Sequence, residues 1–205
     1  MEFMTQLSES GDQRLAKGAR ARATIARRAA ELASIEGLDG ISIGMLATDL
    51  GISKSGIATL FGTKEALQLA AVATARDVFI ERVIAPSLRE PRGVGRIRTL
   101  IDRWFAHIED PPFPGGCFRV ATLTEYSSKE GPVRDAVVAD HDEWLALLAV
   151  EIRKAQEVGD FAGADPEQLV FELDAVVSAA NIARQIGDSA RVEAARAIAA
   201  RLLAS

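Results

Sequence analysis

The stretch "GISKSG", which begins at Gly51, combines residue types that could bind phosphate. A nucleotide-binding loop has two glycines separated by four residues, then Lys and Ser or Thr, and it follows a strand. The two glycines here have that spacing, but Ile57 and Ala58 follow them and Lys54 lies between them. The segment before Gly51 also has a helical pattern rather than a strand pattern. The sequence therefore argues against a nucleotide-binding loop.

The same stretch fits the turn of a helix-turn-helix at more positions. Ala47 is small enough for two helices to cross closely, and Gly51 tolerates the positive φ that a tight turn needs. Apolar positions that would lock the helix pair together are Leu46, Leu50, Ile52, Ile57 and Leu60. The outward positions of the second helix are then Ser53, Lys54, Ser55 and Thr59. Small hydroxyl groups and a cation suit entry into a DNA major groove, although an ordinary packed helix pair is the alternative.

The elements that must position these residues are helices, because helical periodicity continues along most of the chain without sustained strand alternation. Candidate N-caps precede four of the apolar runs: Ser42, Ser53, Thr63 and Asp165. Gln168 would complete a capping box with the last of these, and Pro86 is expected to end the fourth helix. The predicted fold is all-α with about nine helices, at residues 17–36, 43–50, 54–60, 64–85, 95–109, 117–127, 132–158, 166–186 and 190–203.

The net charge of −5 is unevenly distributed. Residues 11–64 contain eight Lys or Arg against five Asp or Glu, whereas residues 65–205 contain sixteen against twenty-two. A basic N-terminal quarter on an acidic body suits a local contact with a polyanion. No apolar run approaches the length that spans a bilayer, and the N-terminus has no signal-peptide pattern. We therefore expect a cytoplasmic protein without a membrane contact.

The sequence "GISKSGIATLFGTKEALQLA", with the Ala-rich helix before it and the helix layout, resembles the TetR family of bacterial transcriptional regulators. The resemblance is most specific over residues 20–72. The segments "FPGGCF" and "EYSSKEGPVRDAV" are similar to the regulatory domain of one branch of the family. We expect a helix-turn-helix DNA-binding domain at residues 17–63 and a ligand-binding and dimerisation domain at residues 64–205. Residues 1–16 are polar and lack periodicity, which predicts a flexible arm.

The resemblance implies roles for individual residues in binding double-stranded operator DNA. The family's recognition helix corresponds to Ser53–Leu60, so the residues expected to meet DNA are Ser53, Lys54, Ser55 and Thr59. At the start of the fourth helix, Thr63 and Lys64 are expected to grip a phosphate. Further phosphate contacts are expected from Arg20, Arg22 and Ser42. Many family members have a Tyr in the recognition helix as a phosphate contact, whereas this sequence has Ala58 and Thr59 there.

The resemblance also implies a ligand cavity among the fourth to seventh helices. The apolar residues and one hydroxyl expected to line it are Phe79, Val83, Trp104, Phe118, Thr122, Tyr126 and Trp144. Glu125 and His107 are the candidate polar partners. Because aromatic residues are few, we expect a mainly aliphatic pocket and a small hydrophobic effector of unknown identity. The alternative is that these aromatic residues are ordinary core.

The last two helices, at about 166–186 and 190–203, have small residues on one side. Such a face permits close approach of another helix, and the family implies a homodimer through a four-helix bundle. Packing within one chain is the alternative. The predicted function is thus a dimeric repressor that binds a palindromic operator and is released by its effector, without a cofactor or metal.

Three alternatives compete with this prediction. Cys117 could be a redox sensor, although no Lys or His lies nearby in sequence to lower the pKa of its thiol. His107 and His141 could bind a metal, but neither belongs to a ligand cluster. A small all-α enzyme is the third possibility, yet no nucleophile motif such as Gly-x-Ser-x-Gly occurs, so we expect no enzymatic activity.

Overall fold

The computed structural model describes the backbone of residues 2–204 and the side chains of residues 16–204. Over these residues the chain is all-α, with nine helices and no strand. Their bounds are α1 Glu2–Glu36, α2 Ile43–Leu50, α3 Lys54–Phe61, α4 Lys64–Phe79 with the continuation described below, α5 Val94–Glu109, α6 Phe118–Tyr126, α7 Pro132–Gln156, α8 Pro166–Gln185 and α9 Ser189–Leu202.

The first helix is longer than the sequence predicts. It begins at Glu2 rather than near Lys17, so residues 2–16 continue the same helical backbone. This polar segment lacks a periodic apolar face, so its sequence pattern does not indicate a helix. Whether residues 1–16 act as a flexible arm stays a prediction.

Side-chain caps set the start of most helices in the first half of the chain. The hydroxyls of Ser42, Ser53 and Thr63 accept hydrogen bonds from the backbone N–H groups of Met45, Gly56 and Ala66, respectively. All three caps were predicted from sequence and are confirmed. Gly51 ends α2 with φ 65°, a left-handed conformation that Gly adopts without steric cost.

The capping box predicted at the start of α8 forms only in half. Asp165 caps the helix by accepting from the N–H groups of Glu167 and Gln168. The side chain of Gln168 does not return to the cap, because its amide donates to Glu172 one turn further on, at 2.8 Å. A single carboxylate cap is therefore sufficient here.

The fourth helix continues past the position where Pro86 is expected to end it. After Phe79 it passes through a π-helical segment, Ile80–Ile84, and a last turn, Ala85–Ser87. Pro lacks an N–H and its ring collides with the carbonyl one turn earlier, so a locally widened helix accommodates it. The hydroxyl of Ser87 donates to the carbonyl of Val83 at 2.7 Å and so gives this backbone oxygen a hydrogen-bond partner near the end of the helix.

Two hydrophobic clusters form the interior. One unites α1, α2 and α3 with the first half of α4, the loop residue Phe113, α6 and the start of α7. The other unites the end of α4 with α5, α7, α8 and α9. The first cluster crosses the predicted boundary at residue 63, because Leu67, Ala71 and Tyr126 pack with the helix-turn-helix.

The loop "DPPFPGG" is not helical, as predicted, and it docks onto α1. A Cβ atom at Gly115 would lie only 1.7 Å from the carbonyl oxygen of Ser34, so only Gly fits this approach. The N–H of Gly115 accordingly reaches the hydroxyl of Ser34 at 2.9 Å. No helix within the described chain is both long and apolar enough to cross a membrane.

Candidate nucleic-acid interface and effector pocket

Helices α2 and α3 form the predicted helix-turn-helix. Leu46, Ala47 and Ile57 are buried between them, as predicted. Ile52 was predicted to lock the pair but is 42% exposed, because it lies in the turn after Gly51 rather than on either inner face.

The start of α3 projects from the surface. Residues 51–56 are all exposed, and so is Thr59. The hydroxyl of Ser55 donates to Ser53 at 3.2 Å, and that of Thr59 donates back to the carbonyl of Ser55 at 2.8 Å. Lys54 extends along Gly44 of α2, where a Cβ atom would lie 3.3 Å from its Cε. The surface thus offers hydroxyls and one ammonium group at the N-terminal end of α3, where the backbone N–H groups face outward.

The four predicted cationic DNA contacts differ in how they are held. Arg20, Arg22, Lys54 and Lys64 are all exposed. Lys64 donates to the carbonyl of Asp39 in the loop between α1 and α2. Arg22 donates to the carbonyl of Leu60, and its guanidinium lies 4.3 Å from the Phe61 ring centroid. These contacts hold the two cations at the edge of the helix-turn-helix.

The predicted ligand residues divide into two groups. Phe79, Val83, Trp104 and Trp144 belong to the cluster of α4, α5 and α7–α9, whereas Phe118 and Tyr126 belong to the cluster around α1. Thr122 is buried and donates to the carbonyl of Phe118 at 2.9 Å. The structure therefore brings together only part of the predicted set.

Phe79 is the centre of the first group. Its ring meets His107 and Trp144 edge-on, both at 5.4 Å between centroids. The guanidinium of Arg119 lies over its face, 3.9 Å from the centroid. Burial and the positive charges of Arg82 and Arg119 lower the pKa of His107 to about 4, so this imidazole is neutral at pH 7.

Sequence reasoning did not assign Arg119 a ligand role. It lies in the first turn of α6, only 8% exposed, and makes a two-pronged ion pair with Asp140 of α7, at 2.7 and 2.9 Å. An Arg within an apolar sequence and one Asp 21 residues later have no local pattern in common, so no sequence signal joins them.

A cavity of about 210 Å³ lies beside this group, among α5, α6, α7 and α8. Trp104 and Trp144 line it together with Arg119, and its remaining lining is Val120, Leu123, Thr124, His141, Asp174, Ser178 and Ile182. Asp174 accepts from the indole N–H of Trp144 at 3.2 Å, and burial raises the pKa of its carboxyl. This volume is below that of a drug-sized site, so it suits a smaller molecule.

Glu125 and Tyr126 lie away from this cavity, at the opposite end of α6. The carboxylate of Glu125 accepts from the backbone N–H groups of Leu38 and Asp39, at 2.8 and 3.0 Å. Tyr126 donates to Asp39 at 2.7 Å, and Lys129 donates to both carboxylates. We call these four side chains, Asp39, Glu125, Tyr126 and Lys129, the Asp39 network. It ties α6 to the loop that begins the helix-turn-helix.

Cys117 is buried at the start of α6, 1% exposed. Burial raises the pKa of its thiol, which favours the unreactive protonated form. His141 lies 3.7 Å from Asp174. Among the described side chains no group of three or more His, Cys, Asp or Glu is arranged to hold a metal ion.

Comparison with known families finds a match in the C-terminal part of the chain. The family model for the tetracyclin repressor-like C-terminal domain matches residues 93–199, just over half of the sequence. This chain belongs to the TetR family of transcriptional regulators. No match was found among curated proteins.

Solved structures share the fold, and TetR transcriptional regulators are among them. A regulator from Chloroflexus aurantiacus is 26% identical with a TM-score of 0.83, over 92% of this chain and 97% of that one. AibR, solved with isovaleryl coenzyme A and operator DNA, is 22% identical with a TM-score of 0.64, over 77% and 84%. A regulator from Saccharomonospora viridis, solved with choline, is 22% identical with a TM-score of 0.71, over 90% and 94%.

The last two helices of this TetR-family chain expose an apolar face. A groove of about 420 Å³ between α8 and α9 is lined by Ala175, Val176, Ala179, Ile182, Ala183, Arg191, Ala194, Ala195 and Ile198. Phe171, one turn earlier on α8, is 73% exposed. Leu169, Leu173 and Val177 are instead buried within the chain. Of the small residues on these helices, Ala180 and Ala183 are also buried, whereas Ala175, Ala179 and Ala194 are exposed.

Proposed function

We propose that this TetR-family protein is a cytoplasmic, non-enzymatic repressor that binds palindromic operator DNA as a homodimer. The observation that carries the proposal is the exposed start of α3, where Ser53, Lys54 and Ser55 project beside the outward N–H groups of a capped helix. A recognition helix reads bases through its N-terminal residues in the major groove. Thr59 would lie on the same side, one turn further along.

Phosphate contacts would surround this helix. Thr63 caps α4 with Lys64 next to it, and Ser42 caps α2, so two helix N-termini flank α3. Helix N-termini with exposed N–H groups bind phosphate well. Arg20 and Arg22 on α1 would add charge on one side. These contacts would position the protein, whereas α3 would provide sequence preference.

The exposed face of α8 and α9 supports dimerisation. Phe171, Ala179 and Ile182 leave more apolar surface in solvent than a monomer needs to expose. A two-fold dimer through this face would form a four-helix bundle and present two copies of α3 to successive turns of one DNA face.

An effector in the cavity next to Trp104 and Trp144 would act on the helix-turn-helix by two routes. Helix α4 begins at the phosphate contact Lys64 and reaches Phe79 beside the cavity. Helix α6 carries Arg119 at the cavity and the Asp39 network at its other end. An effector that prefers one arrangement of these helices changes DNA affinity by its differential affinity for the two states.

The competing functions find less support. The burial of Cys117 and the raised pKa of its thiol oppose oxidation as the primary signal. For an enzyme, the cavity would need an activated nucleophile or an acid and base pair. The ionisable groups there already face one another, Arg119 with Asp140 and His141 with Asp174.

The experiment is selection of bound fragments from genomic DNA at physiological salt. We expect an inverted repeat to be enriched, and the size of the complex to correspond to a dimer. Ser55→Ala should change which bases are preferred, since a base contact carries sequence information. Recovery of random fragments without a common repeat contradicts the proposal. The matched control is the same selection with Ser128→Ala, because Ser128 is an exposed Ser outside the helix-turn-helix.

A further inference from the structure

Arg119 has one hydrogen-bonding arm without a partner. Its Nε and Nη2 atoms donate to Asp140, whereas its Nη1 atom is buried and makes no hydrogen bond. An Arg guanidinium carries only donors, so Nη1 requires an acceptor. A buried donor left without an acceptor is costly, which makes this atom an unfilled site for an oxygen.

His107 has a second unpartnered atom in the same place. Its side chain is 3% exposed, and its Nδ1 atom is buried without a hydrogen-bond partner. Both His107 and Arg119 contact the ring of Phe79, the first at its edge and the second over its face. They also line one small cavity of about 10 Å³, together with Ala75, Phe113, Cys117, Phe118 and Asp140.

Arg119 lines both the small cavity and the 210 Å³ cavity. The larger one supplies an apolar wall of Trp104, Val120, Leu123, Trp144 and Ile182. A small molecule with an apolar body and one polar head group fits this combination.

The cation and the two carboxylates that line the two cavities each lie beside a side chain that can carry the opposite charge. Arg119 is neutralised by Asp140, and Asp174 lies beside His141. A bound carboxylate would face Asp140 and Asp174, and a bound cation would face Arg119. His107 is uncharged at neutral pH and can donate or accept one hydrogen bond at Nδ1, depending on its tautomer. An uncharged oxygen satisfies both unpartnered atoms without adding charge.

We propose that the effector is a small, uncharged, apolar molecule whose carbonyl or hydroxyl oxygen binds between Nη1 of Arg119 and Nδ1 of His107, with its apolar body against Trp104 and Trp144. This assignment rests on the proposed ligand-responsive function and adds the chemical class of the ligand. It also assigns Arg119 as the residue that selects the head group.

The test is a titration with probes that share one ring: cyclohexyl methyl ketone, 1-cyclohexylethanol and cyclohexanecarboxylate, with choline as a cationic probe. The chain has two Trp residues, and both line the larger cavity, so tryptophan fluorescence reports binding there directly. We expect the ketone and the alcohol to bind at least about tenfold more tightly than either charged probe at pH 7.5. Tighter binding of the carboxylate or choline, or no binding of the ketone up to its solubility, overturns the assignment.

Variants test the two atoms separately. His107→Phe removes Nδ1, and Arg119→Lys keeps a positive charge for Asp140 but removes the forked donor. Each should weaken ketone binding about tenfold, the usual effect of losing a hydrogen bond to a buried donor. Arg76→Lys is the matched control, because Arg76 approaches Asp140 at 4.0 Å but lines neither cavity. Equal ketone affinity in all three variants refutes the roles of His107 and Arg119.

A crystal structure with the ketone shows whether its oxygen or a water molecule lies between His107 and Arg119. If the structure shows a water molecule there and the ketone elsewhere, the head-group site is rejected. Operator binding is measured apart from these titrations. Loss of operator binding in the unliganded protein contradicts the proposed function, whereas normal operator binding with failed ketone binding contradicts only the ligand class.

Discussion

Lys64 is the cation whose contribution to DNA binding is most directly testable. It follows the cap Thr63 and its ammonium group is held by the carbonyl of Asp39 at the edge of the helix-turn-helix. Lys64→Ala should weaken binding to all sequences alike and reduce the slope of log K against log[salt] by about one per lost phosphate contact. Fluorescence anisotropy over a salt series measures the slope.

The control for this change is Lys154→Ala. Lys154 pairs with Glu151 on α7, outside the helix-turn-helix, so its removal should leave the salt slope unchanged. A slope that falls equally in both variants indicates a general effect of net charge. An unchanged slope in Lys64→Ala rules out its phosphate contact.

His107 should make stability depend on pH. The pKa of this buried imidazole is about 4 in the folded protein, against 6.5 when it is unfolded. Between these values the unfolded chain binds a proton that the folded chain does not, so stability falls as pH decreases below 6.5. The free energy of unfolding should fall by about 1.4 kcal/mol per pH unit, and by up to about 3 kcal/mol in total. Urea unfolding from pH 7.5 to 5 measures it.

His107→Phe should flatten this dependence, because Phe does not titrate. The chain has one other His, so His141→Gln is the natural control and should retain the slope. If His107→Phe keeps the full decline in stability, the pKa of His107 is not lowered in the folded protein and this imidazole does not cause the loss of stability at low pH.

At the scale of the helices, signals that act over a few residues were sufficient for prediction. The caps Ser42, Ser53 and Thr63 and the turn at Gly51 each bond within their own turn of backbone, so the sequence contains both partners. The π-helical segment before Pro86 was not predictable, because it depends on how α4 packs as well as on the Pro.

Contacts between distant helices account for the errors in the site. Glu125 was assigned to the pocket from its position on α6, but its partners Leu38 and Asp39 lie 87 and 86 residues away. Arg119 was not considered as a ligand contact for the same reason, since Asp140 and His107 approach it only through packing. Helical periodicity finds a buried face but not the residue across from it.

Helix α6 should transmit the effector signal through Glu125. Glu125→Ala leaves two N–H groups of the α1–α2 loop without their acceptor, and should lower stability by about 1–3 kcal/mol. Loosening this end of α6 should also raise the effector concentration needed for DNA release, because the pocket is then less tightly coupled to the helix-turn-helix. Thermal unfolding and anisotropy measure the two effects.

Glu130→Ala provides the comparison for this variant. Glu130 is exposed in the loop after α6, and its side chain makes no hydrogen bond with the described residues. Glu130→Ala should leave unchanged both the stability of the protein and the effector concentration needed for DNA release. Normal effector release in Glu125→Ala, despite lower stability, indicates that α4 alone carries the signal.

At the scale of the whole molecule, the all-α class and the family were predictable because repeated helical periodicity and a compact motif near Gly51 are both local properties. The partition of the interior was not. Phe118 and Tyr126 share a helix with Arg119, yet the short α6 packs its two sides into different hydrophobic clusters. Proximity along the sequence therefore placed Tyr126 in the same pocket as Phe118, whereas only Phe118 lines a cavity with Arg119 and His107.

Dimerisation is the property of the whole molecule on which operator binding should depend. Ala179 is exposed and lines the groove between α8 and α9, so Ala179→Glu adds a charge where the proposed interface is apolar, without disturbing the core. The dimer dissociation constant should rise roughly hundredfold, as expected for burying an unpaired carboxylate. Sedimentation velocity measures this change, and operator affinity should fall with it because each half-site would be bound alone. Val158→Glu, at a 64% exposed position outside the groove, should change neither. A dimer of unchanged strength in Ala179→Glu places the interface on another face.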